Sequence, residues 1–252
     1  MIEVKNISKS FFGTRVLDDI SVTFDKGMTN LVIGKSGSGK TVLLKSIVGL
    51  HEIDEGEILY DGRSFTRMNF KARKEIRKEM GMLFQGAALF DSCTVEENVM
   101  YPLNMFTART QEEKLDRVNF CLRRVNMENS NDLFPSELSG GMRKRVGIAR
   151  AIAMNPRYLF CDEPNSGLDP QTAILIDELI KEITEEYNIT TIVNTHDMNS
   201  VMEIGDKVVF IYEGMKCWEG TKHDVLKADN EYLNEFVFAN SLAKQIKEQN
   251  NK

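Results

Sequence analysis

Residues 29–50 read TNLVIGKSGSGKTVLLKSIVGL. An apolar run enters a glycine loop, and the loop opens into VLLKSIVGL, whose apolar residues recur at helical spacing and stop at Gly49. Strand, glycine loop and helix in that order are half of a βαβ unit, which predicts an α/β fold. Within it, Gly34, Lys35, Ser36, Gly37, Ser38, Gly39, Lys40 and Thr41 fit the pattern GxxxxGK[ST]. The glycines let the backbone wrap a phosphate with its N–H groups pointing inward, and the helix N-terminus after Gly39 adds a favourable dipole. Lys40 supplies a compact positive charge for the β- and γ-oxygens, and the Thr41 hydroxyl suits Mg²⁺. The pattern implies nucleotide phosphate binding and nothing finer. Kinases, GTPases, helicases and transporter motors share it, so other positions must decide among them.

Upstream, residues 2–33 alternate the β-type runs IEVKNI, ISVTF and TNLVIG with turn signals at Gly13 and Lys26-Gly27, predicting a strand-rich entry layer. From about Phe70 to Met154 the period turns helical, with charged faces in KARKEIRKEM and EEKLDRVNFCLRRV, before a second apolar strand, YLFCD. A helical subdomain inserted between two strands of one sheet is the expected result. Two further strand-like runs, TTIVNT and KVVFIY, flank a short helix-like stretch, DMNSVMEIG, and a polar-faced helix runs from Glu231 into a frayed KQIKEQNNK. The expected division is a core of about residues 1–85 and 156–230, a helical subdomain of about 86–155 and a helical tail of about 231–252.

The buried-strand pattern Tyr158-Leu159-Phe160-Cys161 ends in two acids, Asp162 and Glu163, where strand C-termini open onto the ligand crevice of α/β sheets. Two roles are expected there: Asp162 behind the direct ligands of Mg²⁺, and Glu163 as the general base that polarises the attacking water. His196 ends the run TTIVNTH and projects toward the same edge, where an imidazole reaches the γ-phosphate or holds the water. Gln85 follows MGMLF at a strand-to-loop junction, where its amide can either reach metal or water or stand as an ordinary surface glutamine. His51 and His223 have no such placement and are assigned no role.

The bulk properties narrow the class. A chain of 252 residues with 42% hydrophobic composition can bury a sizeable core, and a formal net charge of −6 opposes a dedicated nucleic-acid coat. Cys93, Cys121, Cys161 and Cys217 lack the CxxC pairs or His neighbours of a zinc site and read as reduced packing thiols. No apolar run approaches the roughly 20 residues of a membrane helix. The expectation is a cytoplasmic protein, with any membrane role peripheral.

Leu138-Ser139-Gly140-Gly141-Met142, followed by RKRVGIARAIAMNP, closely resembles the ABC signature motif, LSGGQ, and its helix. The phosphate loop, Gln85, Asp162-Glu163, Ser166-Gly167-Leu168-Asp169 and His196 all stand in family order, so the resemblance to ABC transporter ATPases covers nearly the whole chain. It implies a P-loop NTPase core with an N-terminal antiparallel β layer and an inserted α-helical subdomain, using ATP and Mg²⁺. Glu163, His196, Gln85 and Lys40 would be catalytic, and Thr41, Gln85 and Asp162 would surround the ion. In the family, two subunits form a homodimer. Ser139, Gly140, Gly141 and Met142 of one would close on the γ-phosphate held by the other, with Asp169 near the seam. Phe11 matches the aromatic that stacks on adenine, although Phe12 could take that part or pack in the strand layer. The segment GAALFDSCTVEENVMYPL matches the part that receives a short helix from an integral membrane permease.

Two positions depart from the family pattern. Met142 replaces the signature glutamine, and Asn165 stands where DEPT has threonine, with little consequence expected for hydrolysis. LSGGM together with QGAALFDSCTVEENVMYPL resembles the ATPases of bacterial MCE-type lipid transporters, including the Mla phospholipid system. That resemblance implies an MCE-type lipid-binding partner, an accessory regulatory protein and no nucleic acid. Lipoprotein or amino-acid transport, or a cell-division scaffold, would use a domain of the same size. Three further stretches are open between two readings. Lys71, Arg73, Lys74, Arg77 and Lys78 make either a solvated helix face or a headgroup contact. Arg143, Lys144 and Arg145 make either a charged helix surface or phosphate neutralisers. Leu233, Phe236, Val237 and Phe238 pack either on the chain's own sheet or on a partner.

Overall fold

The computed structural model describes residues 1–238, so KQIKEQNNK lies outside the described residues. Strands β1 (Ile2–Phe11), β2 (Thr14–Phe24), β4 (Glu55–Tyr60) and β5 (Arg63–Ser64) form a four-stranded antiparallel layer in the order β2-β1-β4-β5. Strands β3 (Thr29–Ile33), β6 (Met80–Leu83), β7 (Tyr158–Asp162), β8 (Thr190–Thr195), β9 (Lys207–Tyr212) and β10 (Met215–Gly220) form a second sheet, ordered β10-β9-β3-β8-β7-β6. Its pairs are parallel except β9 with β10.

The run TNLVI therefore does not belong to the entry layer with its two predecessors. It is β3, inside the second sheet, and β4 and β5 complete the antiparallel layer in its place. The reason is burial: all five residues of β3 are buried, as suits a strand covered on both faces, whereas β1 and β2 mix buried and exposed positions.

Period-two alternation splits the core. Leu31, Ile33, Leu159, Cys161, Val193, Val208 and Phe210 point into one cluster, and Val32, Tyr158, Phe160, Ile192, Val209 and Ile211 into the other. The second cluster is roofed by the antiparallel layer and by α1 (Lys40–Ile47). The first carries α3 (Val95–Phe106), α4 (Gln111–Arg124), α5 (Gly140–Ile152) and α6 (Pro170–Tyr187). It also includes residues of α7 (Met198–Ile204), α8 (Lys222–Val225) and α9 (Glu231–Val237).

Helical structure from Phe70 is interrupted. After α2 (Phe70–Lys78) the chain returns to the sheet as β6, so only α3, α4 and α5 stand between β6 and β7. A four-residue strand between charged helices leaves little period-two signal. Helix α2 is bound to the rest of the chain: Arg73 donates to the carbonyls of Phe65 and Thr66, and Arg77 to that of Gly49, while Lys71 and Lys74 are exposed. The C-terminal apolar residues pack on the chain's own sheet. Leu233, Val237 and Phe238 join the first core, Phe236 meets Phe210 at 5.6 Å and Tyr232 stacks on Tyr212 at 4.3 Å. All four cysteines are free, with Cys121 and Cys161 buried. Among the described residues no helix is long and apolar enough to cross a membrane.

Candidate functional site

Register brings the site together. Ile33 lies beside Thr195, Asp162 beside Asn194, and Leu83 beside Cys161, so the segments leaving β3, β6, β7 and β8 emerge at one edge of the sheet. The phosphate loop wraps between β3 and α1, whose N-cap is Gly39. Gly34 cannot be replaced without disturbance: a Cβ there would lie 2.3 Å from the Ile211 carbonyl oxygen, at a φ of 153°. Lys40, 6% exposed, donates to the carbonyls of Gly34 at 2.8 Å and Lys35 at 3.1 Å. Burial draws its pKa below the ordinary lysine value, against the opposing pull of Glu163 and Asp162. The buried Ser38 hydroxyl has no hydrogen-bond partner among the described residues, an orphan that an incoming phosphate oxygen would satisfy. Lys35, Ser36 and Gly37 are exposed at the tip.

Across the cleft, Asp162 Oδ1 accepts from the Thr41 hydroxyl at 3.0 Å and from Asn194 Nδ2 at 3.1 Å. Glu163 Oε2 lies 2.7 Å from His196 Nδ1, and its Oε1 lies 3.9 Å from Lys40 Nζ. Glu163 takes a left-handed backbone, φ 49°, held by its N–H donating to the Asn194 carbonyl at 3.0 Å. The Glu163 carbonyl accepts from Lys144 Nζ at 3.1 Å, and the same ammonium donates to the Gln85 carbonyl. Lys144 is thus neither a surface charge nor a phosphate neutraliser. It is 5% exposed, and burial lowers its pKa. The cleft measures about 410 Å³ and is lined by Val16, Ser36, Gly37, Gly39, Lys40, Thr41, Val42, Gln85, Glu163 and His196.

Other expected residues stand apart. The Phe11 ring meets His51 edge-on at 5.2 Å and the Lys9 ammonium at 5.3 Å, while Phe12 is fully exposed in the β1–β2 turn. Neither lines the cleft; Val16 of β2 does. Ser139 caps α5, its hydroxyl accepting from the Met142 N–H at 3.3 Å. Gly140 and Gly141 face Leu168 and Thr172, and Met142 packs partly buried against the first core. Asp169 caps α6, and the hydrogen bonding to Thr172 holds its carboxyl below the usual range. None of Ser139, Gly140, Gly141, Met142 or Asp169 lines this chain's own cleft.

Sequence reasoning missed Asn194, gave Lys144 only surface or phosphate-facing roles, and missed Val16. An amide near the end of the apolar run TTIVNT is a signal for the first; the other two carry none, being one of three basic residues and one of many valines.

The donor set suits a nucleotide with its metal. The buried Lys40 ammonium and the orphan Ser38 hydroxyl stand in the phosphate loop, and the Thr41 hydroxyl meets the Asp162 carboxylate at 3.0 Å beside a cleft that Gln85, with its side-chain amide, also lines. Among the described residues no group of three or more His, Cys, Asp or Glu could hold a metal unaided. The hydroxyl, amide and carboxylate match Mg²⁺ shared with substrate phosphates.

A family model described as ABC transporter matches residues 17–166. The probable ribonucleotide transport ATP-binding protein mkl of Mycobacterium leprae is 35% identical over 236 residues, 94% of this chain and 68% of its own length. The methionine import ATP-binding protein MetN of Protochlamydia amoebophila is 40% identical over 227 residues, 87% of this chain and 66% of its own length. The chain thus spans about two thirds of these relatives. Among solved structures, the dimeric post-hydrolysis state of the ATP-binding cassette MJ0796 with ADP and Pi superposes at a TM-score of 0.81. It is 31% identical and covers 88% of this chain and 99% of that one. The cbiO1 protein of Clostridium perfringens, part of the cbiONQ complex, superposes at 0.84 with 27% identity, covering 100% and 98%.

Proposed function

The chain belongs to the ABC transporter family of ATPases, which couple ATP hydrolysis to transport, and from that premise we propose that it is the motor subunit working as a homodimer beneath an integral membrane permease. The observation that carries the hydrolytic assignment is the 2.7 Å contact between Glu163 Oε2 and His196 Nδ1, in the cleft that also holds Lys40 and Thr41. Glu163 acts as general base for water, and His196 orients that carboxylate and reaches the γ-phosphate. Lys40 binds the β- and γ-oxygens. Mg²⁺, when bound, neutralises charge on the phosphates; Thr41 and Gln85 would hold it, with Asp162 aligning the Thr41 hydroxyl. Adenine stacking by Phe11 is proposed from the family resemblance alone, since its ring stands at the end of β1 outside the cleft lining.

Dimerisation is supported by the place of the signature. Ser139 is exposed at the start of α5, away from its own cleft, so a second subunit's nucleotide is the group it can meet. MJ0796 is solved as a dimer. Asp169 then stands near the seam. A permease surface is supported by the segment after Gln85, where Phe90 and Tyr101 pair at 4.7 Å, both exposed, beside exposed Met105 and Phe106. A permease docked on that surface would hold the subunit at the inner face of the membrane.

The finer reading is lipid transport of the MCE or Mla type, with an MCE-type lipid-binding protein and an accessory regulator. It rests on LSGGM and QGAALFDSCTVEENVMYPL. The relatives' names carry methionine and ribonucleotide instead, as expected when cargo is selected by other subunits.

Glu163→Gln tests the motor. It is expected to bind ATP, lose turnover by about 10²-fold or more and double its mass in size-exclusion chromatography with ATP; normal turnover refutes the base assignment. Purifying that variant from detergent-solubilised membranes, with mass spectrometry of what accompanies it, tests the partners. An MCE-type permease with phospholipid supports lipid transport, a different permease retires it, and ribosomes or division proteins alone overturn transport.

A further inference from the structure

Beneath the hydrolytic pair lies a polar cluster that the motor reading does not use. Asn165, Asp177 and Ser200 are 7%, 2% and 1% exposed. Asn165 Nδ2 donates to Asp177 Oδ2 at 3.2 Å and to Ser200 Oγ at 2.7 Å. The three come from three different parts of the fold. Asn165 stands two residues after Glu163, Asp177 lies in the body of α6, and Ser200 sits in the first turn of α7, four residues after His196. One amide therefore ties the segment carrying the base to the helix that follows its histidine and to the helix capped by Asp169.

Two features argue that the cluster is retained for what it positions. A buried carboxylate with one oxygen unpaired is a poor source of stability, and Asp177 Oδ1 has no hydrogen-bond partner among the described residues. The left-handed backbone of Glu163 is unfavourable for an L side chain and persists only where its surroundings over-determine it. The Asn194 carbonyl and Lys144 hold the peptide groups on either side of its α-carbon. The segment that follows is held through the Asn165 side chain.

We propose that Asn165, Asp177 and Ser200 form a positioning cluster that sets the Glu163 carboxylate against His196, and that its grip depends on the charge of Asp177. As an anion, Asp177 makes charge-assisted bonds to the donors it meets; protonated, it makes weaker ones. Burial raises its pKa to about 6, with a further push from Asp197 and Glu203, against the bonds from Ser200 and Asn165. Cys161 of β7 also faces it, with its own thiol pushed up by burial. Turnover should thus weaken as pH falls through about 6.

The inference rests on Glu163 and His196 as the hydrolytic pair, which Glu163→Gln tests separately: a turning-over Glu163→Gln protein defeats that assignment rather than the cluster. The experiment measures kcat and KM for ATP against pH on the full chain. Asp177→Ala is expected to lower kcat about tenfold with KM little changed. Asn165→Asp alone sets two carboxyls face to face and should lose as much. Adding Asp177→Asn to it restores a donor–acceptor pair in reverse and should recover most of the loss. The unaltered protein is expected to show a kcat limb near pH 6, and Asp177→Asn, which cannot ionise, should lack it. If Asp177→Ala fails to fold, the reversed pair and the Asp177→Asn profile still decide. An unrescued reversed pair, or a limb that persists in Asp177→Asn, overturns the proposal.

Discussion

Glu163 combines a left-handed φ of 49° with a side chain that meets both His196 and Lys40, and its neighbours Asp162 and Asn165 are each bound from a different direction. Lys144 is the least obvious of its supports. Replacing it with Met leaves the carbonyls of Gln85 and Glu163 without this donor, and a destabilisation of about 1–3 kcal/mol is expected, with lower kcat, in denaturant melts and ATPase assays. Asp177 gives a pH-dependent stability term whose sign is opposite to that of a salt-bridged acid. Its folded pKa of about 6 is above the ordinary 3.8, so the native state binds the extra proton between those values and stability falls as pH rises through that window. The loss is complete above about pH 6 and is on the order of 2–3 kcal/mol. Asp177→Asn should therefore gain Tm relative to the unaltered protein on going from about pH 4 to about pH 8; a constant difference would count against the shift. Asp162, Glu163 and His196 were legible because each ends an apolar strand. Asp177 was not, since nothing in PQTAILIDELIKEITEEY distinguishes a buried acid from the solvated ones around it.

At the level of elements, α5 and α6 meet through a glycine. A Cβ on Gly141 would lie 2.5 Å from Thr172 Cγ2, so the second glycine of the signature lets the two helices approach. Gly141→Ala is expected to destabilise by about 1–3 kcal/mol through overpacking. Thr172→Ser removes the opposing methyl, and Gly141→Ala on that background should regain most of the loss in thermal melts. The strands that apolar runs mark, β7, β8 and β9, stand as the sequence predicts. Strand β10 carries no such mark, because its residues are exposed or half-buried, and β4 has only two buried residues of six; pairing with β9 and with β1 holds them. Capping boxes at Thr94 with Glu97 and Thr110 with Glu113 are local signals, and they start α3 and α4.

Across the whole molecule, two hydrophobic clusters share one sheet, and the C-terminal helix α9 belongs to the first of them through Leu233 and Val237. Ending the chain at Asn230 would uncover that face of β9 and β10 and remove the Tyr232–Tyr212 and Phe236–Phe210 contacts. A loss of several kcal/mol is expected, on the order of two large buried side chains, read as a lower Tm and a tendency to aggregate. Retained Tm with lost dimerisation would instead assign the helix to a partner surface.

By itself the sequence determined the α/β class, the phosphate loop and the order of the acid, histidine and signature motifs, because each is a contiguous pattern whose meaning depends on neighbours within a few residues. The tertiary structure alone decided that TNLVI leaves the entry layer for the second sheet, that Lys144 is buried beneath the base, and that Asn165 meets Asp177 and Ser200. Those contacts join residues 12 to 35 positions apart. Pairing and burial at such separations follow from how the elements pack, which local periodicity does not encode.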